Sequence, residues 1–123
     1  MIGELTIMKL LIVDDNPNIR KIVRHLLNNR FEQIHDAANG LEAFETYQKF
    51  IPDWVVMDIE MPEIDGLVGA KMIKNKFPKS RIVMISKFKD EEVISLSKYI
   101  GAEAYFFKDD LSQLESYFED QAS

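Results

Sequence analysis

Five short apolar runs alternate with five amphipathic segments along this chain, and that alternation constrains its fold more than any other feature. The apolar runs cover residues 8–13, 34–38, 54–57, 82–85 and 104–107. Each has the length of a β-strand, and four are almost continuously apolar, which is typical of strands buried on both faces. Strands that alternate with helical segments predict βαβ units and a parallel sheet covered by helices on both sides.

The segments between the runs carry apolar residues at the spacing of one helical face. Asn16 can cap the first helix, Pro17 suits its first position, and Gly101 suits the end of the fourth. Asp110 and Gln113 have the spacing of a capping box. The apolar face positions are Ile19, Ile22, Val23, Leu26 and Leu27; Leu41, Phe44 and Tyr47; Leu67, Ala70, Ile73 and Phe77; Val93, Ile94 and Ile100; Leu111, Leu114 and Phe118. We therefore predict a (βα)5 α/β fold, a doubly wound five-stranded parallel sheet with the flavodoxin-like strand order 2-1-3-4-5.

Length and composition exclude several classes of protein. The 123 residues are enough for one core, and the absence of cysteine excludes disulfides and thiolate metal sites. No apolar stretch approaches the roughly 20 residues of a membrane span, and the first four residues lack the basic start of a signal peptide. The net charge of −6 argues against direct binding of nucleic acid. We expect one cytoplasmic domain over residues 1–123, with its core at about residues 8–119.

Function-capable side chains follow four of the five predicted strands. Asp14 and Asp15 end the first, Asp58 the third, Ser86 the fourth and Lys108 the fifth. Each taken alone is most simply a helix cap, a turn former or a surface residue. Ligands of such sheets bind beyond the carboxyl ends of the strands, so the joint placement predicts one site at this edge.

Three clustered carboxylates predict a cation site. At about 4 Å and an effective dielectric near 20, each like-charge pair costs roughly 4 kcal/mol, which one lysine does not offset. Either a proton is retained or a divalent cation is bound, and oxygen-only ligands favour Mg²⁺. A carboxylate can also attack phosphorus to form an aspartyl phosphate. Asp58 is the predicted nucleophile because it ends the central run, with Lys108 and Ser86 available to the phosphoryl oxygens.

At this point the chain resembles the receiver domain of bacterial response regulators, the CheY-like family, over nearly its whole length. The resemblance rests on LIVDDN at residues 11–16, MDIEMPEIDG at 57–66, Ile85-Ser86, Gly101-Ala102 and Phe107-Lys108. The D-x-x-M-P-x-x-D-G string is highly specific when a double Asp lies about 40 residues upstream.

The resemblance implies a role for each position. Asp58 matches the phosphoacceptor, Lys108 the lysine that contacts the phosphoryl group, and Ser86 the switch hydroxyl. Tyr105 matches the aromatic residue that swings inward when that hydroxyl moves. The metal ligands implied for Mg²⁺, or for Mn²⁺ in its place, are Asp14, Asp15, Asp58 and the backbone carbonyl of Glu60. Gly66 matches a turn position after the acceptor.

The family also implies a mechanism and partners. A sensor histidine kinase or a phosphotransfer protein donates the phosphoryl group, and small acyl phosphates are expected to serve as well. The modified domain then shifts the surface of the fourth helix, fifth strand and fifth helix, a surface that could also form a homodimer. Hydrolysis resets this switch, which catalyses only its own phosphorylation and dephosphorylation. No membrane contact and no nucleic-acid contact are expected.

The sequence departs from the family pattern at two positions. Asp109 stands where proline usually follows the lysine. Because a cis bond without proline costs roughly 2.5–4 kcal/mol, we predict a trans or heterogeneous Lys108–Asp109 bond. Asp109 is also expected to draw Lys108 away from the acceptor. Lys87 replaces a small residue, and its long side chain is expected to narrow the site or to meet the phosphate.

Three alternatives stay open. A flavodoxin-type flavin protein would share the fold class, although Asp14 and Asp15 would repel a flavin phosphate. A phosphatase of the haloacid dehalogenase type would also form an aspartyl phosphate, but it needs a second Asp as general acid and usually a cap. A degenerate receiver would signal by contact alone, which Asp109 and Lys87 would favour.

The sequence contains no recognisable output domain. We therefore expect either a stand-alone receiver or the N-terminal receiver of a larger regulator, such as a transcriptional regulator. In the second case residues 119–123 would begin a linker.

Overall fold

The five apolar runs form five parallel strands, and the segments between them form helices. The structure is a computed structural model that describes residues 8–121. The expectations for the first four residues and for residues 122–123 lie outside that range. The strands are β1 (Lys9–Val13), β2 (Gln33–Ala37), β3 (Trp54–Asp58), β4 (Ile82–Ser86) and β5 (Ala104–Phe107). The helices are α1 (Pro17–Leu27), α2 (Gly40–Phe50), α3 (Gly66–Lys76), α4 (Glu91–Ile100) and α5 (Gln113–Gln121).

The sheet has the order β2-β1-β3-β4-β5 with all strands parallel, which confirms the predicted doubly wound fold. Val13 pairs with Met57, and Asp58 pairs with Ile85. Because of this register, β1, β3 and β4 end at the same edge of the sheet. The residues that follow these three strands are therefore neighbours in space, although the strand ends lie far apart in sequence.

Two apolar layers hold the helices against the sheet. Leu11, Val55 and Met84 belong to the layer beneath α2 and α3, and Ile12 and Val56 belong to the layer beneath α1 and α5. Strands β3 and β4 are fully buried, as is β1 apart from its first residue. The expectation of four such strands is wrong for β5, which lies at an edge of the sheet and is partly exposed.

The helix ends follow the sequence signals at α1 and α4. The Asn16 side chain accepts the backbone N–H of Asn18 at 2.9 Å, and Pro17 is the first residue of α1. Gly101 ends α4 with φ of 118°, a left-handed conformation that favours glycine. Within residues 8–121, no helix combines the length and apolar character that a membrane span requires.

Four local expectations are wrong. Ile22 was predicted for the apolar face of α1 but is 46% exposed, because the buried face passes through Val23 and Leu27 instead. Leu41 is 44% exposed, because the buried face of α2 passes through Ala43, Tyr47 and Phe50 instead. Asp110 binds the side-chain amide of Gln113 at 2.8 Å, so the contact is not a backbone capping box. Asp110 belongs to a 3-10 turn over Lys108–Asp110, and α5 begins only at Gln113. Residues 119–121 belong to α5, so a linker does not begin at residue 119.

Candidate functional site

The ends of β1 and β3 bring three carboxylates together. One oxygen each of Asp14, Asp15 and Asp58 lies within 4.8 Å of the others. Asp14 and Asp58 are fully buried, whereas Asp15 is exposed. Asp58 is the last residue of β3, and Asp14 directly follows β1 on the neighbouring strand. The predicted convergence of carboxylates at this edge is therefore present.

Lys108, which follows β5, binds two of these carboxylates. Its ammonium lies 3.0 Å from Asp14 Oδ2 and 2.9 Å from Asp58 Oδ1. The expectation that Asp109 would draw Lys108 away is wrong, because the Asp109 carboxylate pairs with Lys89 at 2.9 Å. The Lys108–Asp109 bond is trans, as is every peptide bond that the structure describes.

The two oxygens of Asp58 have different surroundings. Oδ1 accepts the Lys108 ammonium and the backbone N–H of Glu60 at 3.3 Å. Oδ2 is buried and has no hydrogen-bond partner among the described residues. A buried polar atom without a partner is uncommon in folded proteins, and it marks a position where a ligand can bind.

Burial dominates the electrostatics of the site. It raises the pKa of Asp58 to about 7; the hydrogen bond from Lys108 opposes this rise, and the charge of Asp14 adds to it. Burial also raises the pKa of Asp14, although the N–H of Asn16 donates to its carboxylate at 2.8 Å. Burial disfavours the charged form of Lys108, but hydrogen bonds to Asp58 and Asp14 outweigh it and raise the pKa of Lys108.

The donor set fits a hard divalent cation. All three clustered groups are carboxylates, and the buried Oδ2 of Asp58 has neither a hydrogen bond nor an ion pair among the described residues. Oxygen ligands of this kind suit Mg²⁺, which usually keeps several waters and takes few protein carboxylates. One Lys108 beside two buried carboxylates leaves a negative site that attracts a cation.

Ser86 ends β4 and is fully buried, but its hydroxyl is held by a residue that the sequence analysis missed in this role. The hydroxyl donates to the carboxylate of Glu60, whose other oxygen accepts the N–H of Lys87 at 3.2 Å. Sequence reasoning considered only the Glu60 backbone carbonyl. The sequence could have indicated this contact, because Glu60 lies two residues beyond β3, the strand that adjoins β4.

Tyr105 lies within β5 and does not contact the carboxylates. Its ring is half-buried, and its hydroxyl donates to the Phe88 carbonyl at 2.9 Å. Burial raises the pKa of Tyr105. Lys87 is exposed, and its ammonium lies 5.6 Å from the centre of the Phe88 ring. Its backbone N–H, rather than its long side chain, joins the site through Glu60.

Arg20 is a second residue near the site that sequence reasoning missed. Its guanidinium donates to the backbone carbonyl of Asp14 at 2.6 Å and lies 3.4 Å from the Asp36 carboxylate. The contact ties the turn after β1 to the first turns of α1. A positive residue one turn into a helix that follows Asp14-Asp15 was the available signal.

The loop after β3 folds back on its own strand at Gly66. A Cβ atom at this position would lie 1.9 Å from the carbonyl oxygen of Asp58, so a side chain does not fit there. The N–H of Gly66 donates to the Ile59 carbonyl at 2.9 Å, and Asp65 caps α3 through the N–H of Val68. The loop is thereby held close to the end of β3.

Comparisons with known proteins agree with this geometry. A family model described as the response regulator receiver domain matches residues 10–119. The chemotaxis protein CheY of Bacillus subtilis is 37% identical over 101 residues, which cover 81% of this chain and 84% of that protein. The transcriptional regulatory proteins YhcZ and LnrK of Bacillus subtilis are 36% and 38% identical, each over 83% of this chain. The chain spans about half the length of these two regulators, 49% and 47%.

Solved structures show the same fold. The response regulator domain of Thermotoga maritima CheB matches with a TM-score of 0.81 and 25% identity, over 94% of this chain and 93% of that chain. A chain in the CheX-CheY-BeF3-Mg²⁺ complex of Borrelia burgdorferi matches with a TM-score of 0.81 and 28% identity, over 90% of this chain and 89% of that chain.

Proposed function

The chain belongs to the receiver domain family of two-component response regulators, and from that premise we propose that it is a phosphorylation switch whose acceptor is Asp58. One observation carries the proposal. Asp58 is fully buried, its Oδ1 is bound by Lys108, and its Oδ2 has no hydrogen-bond partner among the described residues. An oxygen in that condition is available to bond to phosphorus, beside a cation that can meet the transferred group.

Each remaining residue has a place in the proposed transfer. The Asp58 oxygen bonds to phosphorus while the bond to the donor breaks and its electron pair stays on the donor. The donor is a phosphohistidine of a sensor kinase or phosphotransfer protein, or a small acyl phosphate. Lys108 neutralises charge on the phosphoryl oxygens. Attack of water on the phosphorus later releases phosphate and restores Asp58.

The carboxylates of Asp14, Asp15 and Asp58 and the backbone carbonyl of Glu60 would hold Mg²⁺ or Mn²⁺. When bound, the ion supplies positive charge that stabilises the phosphoryl oxygens. The complex of Borrelia burgdorferi, which contains Mg²⁺ and a beryllofluoride group, supports this assignment by similarity. The clustered carboxylates and the buried oxygen of Asp58 support it from within this chain.

The output of the switch is a change of surface. In this proposal Ser86 turns its hydroxyl to the phosphoryl group, and Tyr105 moves inward and alters the surface of α4, β5 and α5. That surface controls an output domain or a partner, or forms a homodimer. The length of YhcZ and LnrK supports an N-terminal receiver in a larger transcriptional regulator, and the match to CheY supports a stand-alone receiver. In either case the core at about residues 8–119 would form one cytoplasmic receiver domain.

The test is the intact mass of the protein after incubation with acetyl phosphate, with Mg²⁺ or with EDTA. We expect a gain of one phosphoryl mass that needs Mg²⁺ and is absent from Asp58→Asn. Asp65→Asn is the matched control, because Asn also caps a helix and the residue lies in the same loop. Unchanged labelling of Asp58→Asn would refute the acceptor. No labelling by acetyl phosphate or by a phosphohistidine donor would favour a receiver that signals by contact alone.

A further inference from the structure

The Glu60 carboxylate lies in the loop after β3, and it binds the last residue of β4 and the residue that follows it. It accepts the Ser86 hydroxyl through one oxygen and the Lys87 N–H through the other at 3.2 Å. Glu60 is half-buried, whereas Ser86 is fully buried. The proposed transfer uses the Ser86 hydroxyl and the Glu60 backbone carbonyl, and it assigns nothing to the Glu60 carboxylate.

The same contact ends a run of hydrogen bonds that reaches Tyr105. The Phe88 N–H donates to Ser86 Oγ at 2.9 Å, and the Tyr105 hydroxyl donates to the Phe88 carbonyl at 2.9 Å. Both hydrogen bonds are made to the backbone of Phe88, so the position of this residue links the Ser86 hydroxyl to the Tyr105 hydroxyl. Glu60 therefore holds Ser86 directly and Tyr105 through Phe88.

We propose that the Glu60 carboxylate is a positioning residue that keeps the Ser86 hydroxyl from a phosphoryl group on Asp58 and thereby opposes phosphorylation. The inference rests on the proposed function, in which a phosphoryl group on Asp58 binds the Ser86 hydroxyl. One hydroxyl proton cannot be donated to both anions at once. The Glu60 carboxylate thus occupies a donor that the phosphoryl group requires.

Two physical effects favour this assignment. Hydrogen bonds to a carboxylate are roughly twice as strong as neutral ones, so Glu60 is a strong competitor for the hydroxyl. The carboxylate and a phosphoryl group on Asp58 are also both anions, so bringing the group to the site costs repulsion. Both effects stabilise the unmodified conformation relative to the modified one, which is the condition for shifting a two-state equilibrium.

The test uses beryllofluoride with saturating Mg²⁺ as a probe that requires neither transfer nor hydrolysis. The affinity for beryllofluoride is measured by NMR titration in wild type and Glu60→Gln. The backbone amide signals of Lys87 and Phe88 report the binding. Glutamine keeps the size of the side chain and the backbone carbonyl but removes the charge. We expect beryllofluoride to bind Glu60→Gln about tenfold more tightly, the scale of one charge-assisted hydrogen bond. Glu60→Ala, which removes the acceptor as well, should bind it at least as tightly.

Two controls separate positioning from other effects. Glu63→Gln removes the same charge from an exposed position of the same loop and should leave the affinity unchanged. In a Ser86→Ala background, Glu60→Gln should lose most of its effect, because Glu60 acts through that hydroxyl. A merely structural role would not give this dependence on Ser86. Mg²⁺ affinity, which loss of a nearby negative charge cannot increase, should stay equal or fall.

The outcomes distinguish this inference from the function on which it rests. Equal or weaker beryllofluoride binding by Glu60→Gln overturns the inference alone. A full gain that persists in Ser86→Ala also overturns it, because the effect would then not act through the hydroxyl. Failure of every protein to bind beryllofluoride, together with failure of the wild type to be labelled on Asp58, overturns the proposed function and this inference with it.

Discussion

The two ends of the sheet differ in how fully their charged side chains are paired. At the carboxyl end, the buried Asp14 and Asp58 share one Lys108, and a buried oxygen of Asp58 has no hydrogen-bond partner among the described residues. At the amino end, Arg81 donates twice to the Glu103 carboxylate, at 2.8 and 2.9 Å. The amino end thus satisfies its charges, whereas the carboxyl end retains an excess of negative charge for a ligand.

The amino end is also built around an aromatic cluster. Trp54, at the start of β3, is 3% exposed and meets Tyr117 and Phe118 edge to face. The Arg81 guanidinium lies 4.0 Å from the centre of the Trp54 ring. Such contacts add to the apolar burial of the ring. The comparison teaches that the amino end carries packed aromatic contacts and a paired charge, whereas the carboxyl end carries the excess of negative charge.

Removing Trp54 should have the largest effect, because the amino end depends on it. We expect Trp54→Ala to lower the free energy of unfolding by about 3–5 kcal/mol, the usual cost of removing a buried aromatic side chain. Urea unfolding measures this change. Tyr99→Ala is the control, since Tyr99 is 88% exposed and its loss should change stability little. Similar losses in both variants would contradict the assignment of Trp54 to the packed core.

Removing the charge of Asp58 at the carboxyl end should instead raise the free energy of unfolding. Burial raises the pKa of Asp58 to about 7, so the folded chain retains a proton that the unfolded chain loses between about pH 4 and pH 7. Stability therefore falls over that window and stays low above it. Asp58→Asn should be more stable by on the order of 2–4 kcal/mol at pH 8 in EDTA.

This second prediction is checked by thermal unfolding at several values of pH. The advantage of Asp58→Asn should be small at pH 4, grow up to about pH 7 and then stay constant. Glu63→Gln serves as the control, because its side chain is exposed and outside the cluster. An advantage that does not vary with pH would mean that the carboxylate of Asp58 is not the source of the strain.

Adding Mg²⁺ should offset part of the excess negative charge at the carboxyl end and thereby stabilise the fold. Binding to the folded state alone stabilises a protein by about 2.7 kcal/mol at 100 times the dissociation constant. We expect the melting temperature to rise with Mg²⁺ in wild type and to rise much less in Asp15→Asn. An equal rise with sodium chloride of the same ionic strength would show general screening of charge rather than a bound ion.

The smallest effect should come from the satisfied ion pair at the amino end. The hydrogen bonds from Arg81 hold the pKa of Glu103 below its ordinary value, so the pair stabilises the fold above that value. The contribution is lost as pH falls through the lowered pKa. Both side chains are substantially exposed, so Glu103→Gln should cost less than about 1 kcal/mol at pH 7 and a smaller amount at pH 3. Urea unfolding at both values of pH measures the cost in stability, and an undiminished cost at pH 3 would contradict the prediction.

Signals within single segments predicted much of the fold and of the carboxylate cluster. The apolar runs predicted the strands because a buried strand carries its own pattern. Asn16 and Gly101 predicted helix ends because a cap depends on residues only a few positions away. Asp14, Asp15 and Asp58 could be brought together because parallel strands end at one edge.

Contacts between segments were beyond such signals. Nothing near Lys108 indicated that Asp109 would pair with Lys89 instead, because the choice depends on how two separate loops pack. The partial exposure of β5 depends on its place at the edge of the sheet, which its four apolar residues do not indicate. The exposed side of α2 at Leu41 likewise depends on where neighbouring elements lie.

The sequence by itself determined the strands, the principal caps and the residues that end the strands, because these follow from periodicity and neighbours along the chain. Only the tertiary structure decided that the Glu60 carboxylate binds Ser86, that Tyr105 binds the Phe88 carbonyl and that Lys108 bridges two aspartates. The physical reason is that a hydrogen bond needs its donor and acceptor within a few tenths of an ångström of about 2.9 Å. Such distances between residues far apart in the chain are established only when the helices pack on the sheet.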